Sequence, residues 1–268
     1  MSGATIPAFA ATDPDIYERF MGRWSTRIAE PFLTFAGVQS GQHVLDVGCG
    51  TGTISLALAQ RGCTVVGIDA SEPYLGGARI RRAHADISYE HGDARDLAYA
   101  TASFDASVSM LAIDVIPEPE RVVSEMRRVT RAGGVVACGT FDFWGGFSAE
   151  HMLTDTGAAL DEGLRTVRDF LRSRPLVWPD GQAQLWRRAG LQDVVEVPLV
   201  VSFDYESFDD YWTSLATGPN RVAQRVQAMP AERREEVHRL VRLAYLAGLP
   251  DGPRSFATIV RAVRGLIP

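Results

Sequence analysis

Two hydrophobic periods alternate along the first half of the chain. Runs of consecutive apolar residues, typical of strands buried on both faces, are followed by stretches in which apolar residues recur every three or four positions, as in amphipathic helices. The predicted strands are residues 43–47, 64–69, 87–90, 104–110 and 134–141. The predicted helices are residues 13–22, 25–35, 53–61, 72–85 and 117–131. Strands that alternate with helices of this length indicate a doubly wound, mostly parallel α/β sheet.

The pattern changes after residue 143, where helical periods dominate. The further helices predicted are residues 148–172, 180–189 and 207–247, with breaks in the last at Gly218-Pro219 and Pro230. The further strands predicted are residues 191–203 and 256–264, which bring the sheet to seven strands. We therefore interpret 145–178 and 206–250 as helical insertions between strands of a single domain that comprises residues 1–268.

Composition narrows the class of protein without identifying it. A chain of 268 residues, 46% of them hydrophobic, can bury one α/β core with a modest elaboration. The net charge of -6 argues against a nucleic-acid or anionic-membrane surface. Every one of the 27 basic residues is arginine, which excludes a Schiff-base lysine and a phosphate-loop lysine.

The three cysteines indicate a reducing compartment. Cys49, Cys63 and Cys138 are odd in number, form no CxxC motif and stand in apolar or glycine-rich surroundings. No Cys/His cluster has metal-ligand spacing, so no metal is expected. Residues 1–12 read as a loose tail without a basic leader region, and no stretch approaches the roughly 18 apolar residues of a membrane span. A cytoplasmic protein is expected.

A glycine-rich loop follows the first predicted strand. Gly48, Gly50 and Gly52 occupy alternate positions, and Asp46 stands two residues before them. The dinucleotide fingerprint GxGxxG fails here, because Thr53 occupies its last position. The Asp46 carboxylate would repel a phosphate and favour a cationic amino group. The loop therefore predicts a nucleoside-like ligand with a positive end and no phosphates.

Acidic residues also follow the next two strands. Asp69 ends the second strand, where a carboxylate can accept both hydroxyls of a ribose. Taken alone, Asp69 could instead cap the helix that begins at Ser71–Glu72. Asp93, in Gly92-Asp93-Ala94 after the third strand, can accept the exocyclic amine of adenine, although the same tripeptide alone would read as a turn.

Together these residues resemble the class I S-adenosylmethionine-dependent methyltransferases. The motifs that carry the resemblance are residues 44–52 (VLDVGCGTG), 66–71 (VGIDAS), 92–94 (GDA), 104–106 (FDA), 125–129 (EMRRV) and 133–134 (GG). They cover about residues 40–143. The flanks at 17–25, 209–212 and 262–265 look like the small-molecule methyltransferases of the type 11 kind.

The resemblance implies a Rossmann-like methyltransferase fold that binds S-adenosylmethionine. It implies that 40–143 form the cofactor-binding core, that the N-terminal helices of 13–37 lie over the site, and that the two insertions act as lids. The residues implied in cofactor binding are Tyr17, Asp46, Gly48, Cys49, Gly50, Gly52, Asp69, Ala70, Asp93, Ala94 and Met110. Asp46 and the glycine loop would hold the methionine end, Asp69 the ribose, and Met110 would lie near the sulfonium.

The catalytic group is open at this stage. Methyl transfer from a sulfonium requires mainly positioning of the acceptor, and a general base only when the acceptor is protonated. The weak candidates for that base are Asp114, Asp142 and His151, each of which could equally be a cap, a structural carboxylate or a surface histidine. Ser109-Met110-Leu111-Ala112 stands where amino methyltransferases of DNA and protein glutamine carry Asn/Asp-Pro-Pro-Tyr/Phe.

Aromatic residues from several segments are expected to form the acceptor pocket. They are Phe20, Trp24, Phe143, Trp144, Tyr211 and Trp212, with Tyr17 as the favoured contact to cofactor or substrate. Converging aromatics on helical segments suggest a lid over an apolar or aromatic small molecule. Ordinary core packing is the alternative for any one of them.

The sequence thus predicts an O-methyltransferase of a small, apolar or aromatic molecule, with neither nucleic acid nor membrane as partner, acting as a monomer or homodimer. Two alternatives stay open: a non-catalytic regulatory module that binds S-adenosylmethionine, and an oxidoreductase that uses a nicotinamide cofactor. A nucleic-acid methyltransferase is a weaker third alternative.

Overall fold

A seven-stranded sheet, with helices on both faces, organises the chain. The computed structural model describes residues 13–268, so the tail predicted at 1–12 lies outside the described residues. The strands are β1 His43–Val47, β2 Thr64–Asp69, β3 Ile87–His91, β4 Phe104–Met110, β5 Thr130–Phe141, β6 Gln192–Tyr205 and β7 Arg254–Leu266. Their order in the sheet is β3-β2-β1-β4-β5-β7-β6, and β7 runs antiparallel to both of its neighbours. The predicted doubly wound, mostly parallel sheet is confirmed.

Eleven α-helices connect or cover the strands within residues 13–268. They are α1 Pro14–Tyr17, α2 Arg23–Ala36, α3 Thr53–Gln60, α4 Glu72–Arg81, α5 Pro119–Val129, α6 Ser148–Ala158, α7 Glu162–Ser173, α8 Gly181–Arg188, α9 Phe208–Ala216, α10 Arg221–Gln227 and α11 Ala231–Leu246. A π-helical turn, Glu18–Gly22, joins α1 to α2. None of these helices is long and apolar enough to cross a membrane.

The sequence placed the start of β5 wrongly, and the helix predicted over 72–85 ends earlier, at Arg81. The helix predicted over 117–131 ends at Val129, and β5 begins at Thr130 rather than at Gly134. Thr130 pairs with Phe104, but the next paired residue is Val135, opposite Ala106. The intervening residues bulge out of the ladder. Gly133 and Gly134, which predicted the end of a helix, therefore lie inside an irregular strand.

The N-terminal helices are fixed to the sheet by caps and a shielded ion pair. The Asp13 side chain accepts hydrogen bonds from the backbone N–H groups of Asp15 and Ile16, as an N-cap does. Arg82, just after α4, pairs with Glu18 at 2.7 Å, and both side chains are largely shielded from solvent. This pair holds α1 and the π-helical turn against α4, beside the carboxyl end of β2.

The core on one face of the sheet joins the N-terminal helices to the distant strand β6. The Trp24 ring on α2 stacks on Phe203 of β6 with ring centres 4.6 Å apart, and Phe203 also meets the edges of Phe141 and Phe147. On the opposite face the fully buried Trp186 of α8 donates its indole N–H to the carbonyl of Val136 at 2.9 Å. The Trp186 contact follows the rule that a buried aromatic ring has its polar atom paired.

Phe203→Ala should lower the free energy of unfolding by about 3–5 kcal/mol, because it leaves a cavity among the rings of Trp24, Phe141 and Phe147. Urea unfolding followed by circular dichroism measures the change. Val200→Ala is the matched control, since Val200 lies on the same strand with 66% of its surface exposed and should change stability by less than about 0.5 kcal/mol. Equal effects of the two substitutions would contradict this account of the core.

Candidate active site

A cleft of about 860 Å³ opens at the carboxyl ends of the parallel strands. Its floor is formed by the segments that follow β1, β2, β3 and β4, and its walls by α1, α6, α7 and α10. In open α/β sheets ligands bind at this edge, where the strand order reverses between β1 and β4. The cleft is therefore the candidate site.

The glycine loop has a backbone that only glycine adopts comfortably. Gly48, Gly50 and Gly52 have φ of 71°, 55° and 87°. A Cβ atom on Gly48 would lie 2.5 Å from the Ala112 side chain, and one on Gly52 would lie 2.3 Å from the Tyr89 hydroxyl. The loop thus combines left-handed turns with a close approach of neighbouring residues, and the N–H groups of its three glycines are satisfied within the protein.

Asp69 ties this loop to the sheet. Its Oδ2 accepts a hydrogen bond from Gly50 N at 2.9 Å, and its Oδ1 accepts one from Ser71 N at 2.8 Å. Burial raises the pKa of Asp69, although these two backbone donors act in the opposite direction. Asp69 and the adjacent Ala70 both line the cleft.

Asp46 lies beneath the loop rather than on the cleft wall. It is 1% exposed and accepts a hydrogen bond from the Ser55 hydroxyl at 2.6 Å. Burial, together with the nearby charge of Asp69, raises the pKa of Asp46 to about 7. Asp46 and Cys49 border a second cavity of about 20 Å³, which Tyr17 and Met110 also line.

The residues predicted at the adenine edge lie at the rim of the cleft. Ala94 is buried and Asp93 is exposed, and both line the cleft. The Arg95 guanidinium, 2.7 Å from Asp93, holds the pKa of that carboxyl below its usual range, and Arg95 also pairs with Glu118. Asp93 is therefore an anionic acceptor whose orientation is set by a neighbouring arginine.

The structure brings most of the predicted cofactor residues to one end of the cleft. Those that line it are Tyr17, Gly48, Gly50, Asp69, Ala70, Asp93, Ala94 and Met110. Tyr17 lies over the loop, since a Cβ on Gly50 would meet its hydroxyl at 3.8 Å. Burial raises the pKa of Tyr17 to about 12, so its side chain stays a neutral phenol. Asp46, Cys49 and Gly52 do not line the main cleft, and the first two border the smaller cavity instead.

Four of the six aromatic residues expected in the acceptor pocket lie elsewhere. Phe20 and Phe143 line the cleft, but the prediction is wrong for Trp24, Trp144, Tyr211 and Trp212. Trp24 and Tyr211 are buried in the core, where the Tyr211 hydroxyl donates to the Ala149 carbonyl at 2.7 Å. Trp212 packs its ring against His238 at 4.7 Å, and Trp144 is 60% exposed beside Trp178. Core packing and surface contacts account for all four.

Two of the three candidate bases do not reach the cleft. Asp142 accepts hydrogen bonds from Trp144 N and Gly145 N and pairs with Arg261 at 2.7 Å, so it fixes the turn after β5. His151 Nε2 lies 3.0 Å from the Phe143 carbonyl oxygen, and burial lowers its pKa. The prediction that Asp142 or His151 is the base is therefore wrong, because neither side chain lines the cleft.

Asp114 does line the cleft, but as half of an ion pair. Its carboxylate lies 2.8 Å from Arg174 Nη1, and the Asp114 carbonyl accepts from the same nitrogen at 3.1 Å. Both side chains are largely buried, at 6% and 14% exposure. A carboxylate engaged in this way serves to hold Arg174 in the wall of the cleft.

Sequence reasoning missed three charged residues that line the cleft: Glu150, Arg174 and Arg221. Glu150 is 6% exposed, its Oε1 makes no hydrogen bond to any residue from 13 to 268, and burial raises its pKa to about 8. The sequence did carry a signal for Glu150, because it lies on the same helix face as residues 153, 154 and 157 of α6, which are buried. Nothing local marked the two arginines.

No group of three or more potential metal ligands occurs within residues 13–268. Cys49, Cys63 and Cys138 are buried and free. The site thus consists of a glycine cradle with carboxylates at one end, and at the other an apolar wall that carries Glu150, Arg221 and the Asp114–Arg174 ion pair.

Comparison with known proteins agrees with this architecture. A family model described as "Methyltransferase domain" matches residues 45–138. A demethylmenaquinone methyltransferase of Beutenbergia cavernae is 33% identical over 172 residues, which span 60% of this chain and 70% of that protein. A phosphatidylethanolamine N-methyltransferase of Cereibacter sphaeroides is 44% identical over 100 residues, 36% of this chain and about half, 49%, of the relative.

A solved structure shows the same fold. Phosphoethanolamine N-methyltransferase 2 of Haemonchus contortus, in complex with S-adenosyl-L-methionine, matches with a TM-score of 0.58 and 18% identity over 95% of this chain and 56% of that one. Membership of a methyltransferase family decides against the nicotinamide oxidoreductase, as the GxGxG spacing already indicated. From the glycine cradle, the sheet order and these relatives together, the chain belongs to the class I S-adenosylmethionine-dependent methyltransferases, enzymes that use this cofactor as their methyl donor.

Proposed function

We propose that this enzyme methylates an oxygen atom of a small, largely apolar molecule held in the cleft. The observation that carries the proposal is Glu150, a buried acid set in an otherwise apolar wall. The relatives act on different compounds and, by name, one of them on nitrogen. The assignment of oxygen as the methylated atom therefore rests on the residues of this cleft rather than on similarity to these relatives.

The glycine end of the cleft fits S-adenosylmethionine. When bound, the cofactor supplies an activated methyl group on a sulfonium. The cradle at Gly48 and Gly50 presents backbone where any Cβ would collide or strain the chain, and Asp69 retains lone pairs for ribose hydroxyls beyond its two backbone donors. Asp93 with Ala94 would read the adenine edge. Tyr17 would cover the loop, as the 13–37 helices are expected to lie over the site.

The acceptor end of the cleft is predominantly apolar. It is lined by Phe20, Phe141, Phe143, Phe147, Leu153, Phe170, Leu171, Leu215 and Val222. Pockets of this kind bind small apolar or aromatic molecules and exclude water from a reaction at their centre. Several of these side chains come from 145–178 and 206–250, which supports the assignment of those insertions as lids.

Glu150 would take the proton of the acceptor hydroxyl. An alcohol or phenol becomes nucleophilic as its proton leaves, and a base whose pKa lies near the working pH does this best. Burial raises the pKa of Glu150 to about 8, which suits that role. Asp114 lacks this freedom because it is paired with Arg174.

Screening purified enzyme with S-adenosylmethionine against phenols, alcohols and amines of similar size tests the proposal. Release of S-adenosylhomocysteine with oxygen acceptors and not with matched amines is expected. Cofactor binding by calorimetry without turnover of any acceptor would instead favour a regulatory module.

Asp69→Asn should weaken the affinity for S-adenosylhomocysteine by about tenfold or more. The amide keeps the size of the side chain but removes the charge and one acceptor oxygen from a buried position. Isothermal titration calorimetry measures the loss. Asp86→Asn, an exposed aspartate before β3, is the matched control and should bind as the parent does. Unchanged affinity in a folded Asp69→Asn protein would remove Asp69 from the site.

The activity should rise with pH until Glu150 is ionised. Because the pKa is raised to about 8, the carboxylate form is scarce at pH 6, and kcat/KM for a hydroxyl acceptor should rise about tenfold per unit before levelling above pH 8. Glu150→Gln should flatten this profile and lower the rate at pH 8 by about a hundredfold.

Glu162→Gln provides the control for that experiment, since Glu162 is an exposed acid in the first turn of α7. It should keep both the rate and the pH profile of the parent enzyme. A folded Glu150→Gln enzyme with the parental profile would show that no base at this position is used, and the assignment to oxygen would lose its support.

A further inference from the structure

Two guanidinium groups stand together on the otherwise apolar wall of the cleft. Arg174, just after α7, and Arg221, the first residue of α10, both line the cavity. Both lie over the same ring, with Cζ atoms 5.9 Å and 4.5 Å from the centre of Phe170. Arg174 also lies 5.0 Å from the centre of the Phe143 ring. The aromatic faces hold the planar guanidinium groups in place against the cavity.

The two guanidinium groups lie close enough to influence each other. Burial, together with the positive charge of Arg174, lowers the pKa of Arg221. Asp114 engages only Nη1 of Arg174, while Nη2 is buried and makes no hydrogen bond within residues 13–268. Asp114 therefore leaves part of the hydrogen-bonding capacity of Arg174 unsatisfied.

Packing alone does not explain the position of the two arginines. Arginine stems often cover apolar surface while the charged head reaches solvent. Here both residues line the cavity, and Arg174, whose side chain is 14% exposed, is held there by the nearly buried Asp114. A fixed charge inside an apolar cleft indicates a charged ligand rather than a solubilising surface.

We infer that Arg174 and Arg221 form a subsite for a single carboxylate on the methyl acceptor. The substrate would then be an amphipathic acid: an apolar body along the phenyl rings, a carboxylate on the guanidinium pair, and the methylated hydroxyl elsewhere on the body. A singly charged group suits the site better than a phosphate dianion, because the Asp114 carboxylate beside Arg174 would repel a second negative charge. This inference rests on the proposed function, since it concerns the acceptor end of the same cleft.

Calorimetry with matched probes tests the subsite. Decanoate and decan-1-ol, which share an apolar chain and differ in charge, are titrated separately into enzyme saturated with S-adenosylhomocysteine at pH 7. Decanoate should bind about tenfold or more tightly than decan-1-ol, as a charge-assisted hydrogen bond implies. Decyl phosphate should bind more weakly than decanoate.

Substitutions assign the preference to the two arginines. Arg221→Gln should remove most of the preference for decanoate and leave the binding of S-adenosylhomocysteine unchanged. The double variant Arg174→Gln with Asp114→Asn exchanges the buried ion pair for a neutral hydrogen bond, avoids an orphaned carboxylate, and should have the same effect. Arg239→Gln, an exposed arginine of α11 outside the cleft, should behave as the parent.

The outcomes separate the two proposals. If S-adenosylhomocysteine binds but decanoate and decan-1-ol bind equally, the carboxylate subsite is overturned while the methyltransferase site stands. If decanoate is preferred equally by the parent and both variants, another group recognises the acid and the assignment of these arginines is wrong. If S-adenosylhomocysteine itself fails to bind, the residues assigned to the cofactor end are wrong.

Discussion

The hydrogen bond from Gly50 N to Asp69 Oδ2, at 2.9 Å, is the contact on which the geometry of the site depends. It joins the loop after β1 to the end of β2, while the other oxygen of the same carboxylate orders the start of α4 through Ser71 N. A glycine adopts many backbone conformations in an unfolded chain, and the Asp69 carboxylate holds Gly50 in one of them. The same side chain is the one placed to meet a ribose, so the cofactor end is organised by the group that would bind it.

Burial sets the charge state along the cleft. Asp46 and Glu150 lie in dry surroundings that raise their pKa to about 7 and about 8, whereas Asp93 is held anionic by Arg95. The acids therefore differ in function because their surroundings differ, although their side chains are nearly alike. The exposed carboxylate is a fixed acceptor, and the buried one can exchange a proton near neutral pH.

The cofactor half of the site could be predicted from the sequence because its signals are local. Gly48 to Gly52 follow a strand and precede a helix, and Asp69 and Asp93 each end a strand, so the order of elements alone brings them to one edge. Which residues line the acceptor half depends on which face of each helix packs inward. Trp24 looked like a pocket residue but packs on Phe203, from a strand far away in sequence, and no periodicity in either segment records that contact. The helical insertions themselves could be predicted, but their inward-facing residues could not.

The two proposals about the acceptor end are coupled through Arg174. Its positive charge is one of the influences that lower the pKa of Glu150 against the dominant effect of burial. A carboxylate bound to Arg174 would cancel part of that positive potential and so raise the pKa of Glu150 further. A raised pKa makes the Glu150 carboxylate a stronger base but leaves less of it ionised at neutral pH, so the rate should level off at a higher pH for an acidic acceptor than for an apolar alcohol of the same shape. The acidic group of the substrate would thus hold the acceptor in place and also set the pH range in which Glu150 can remove its proton.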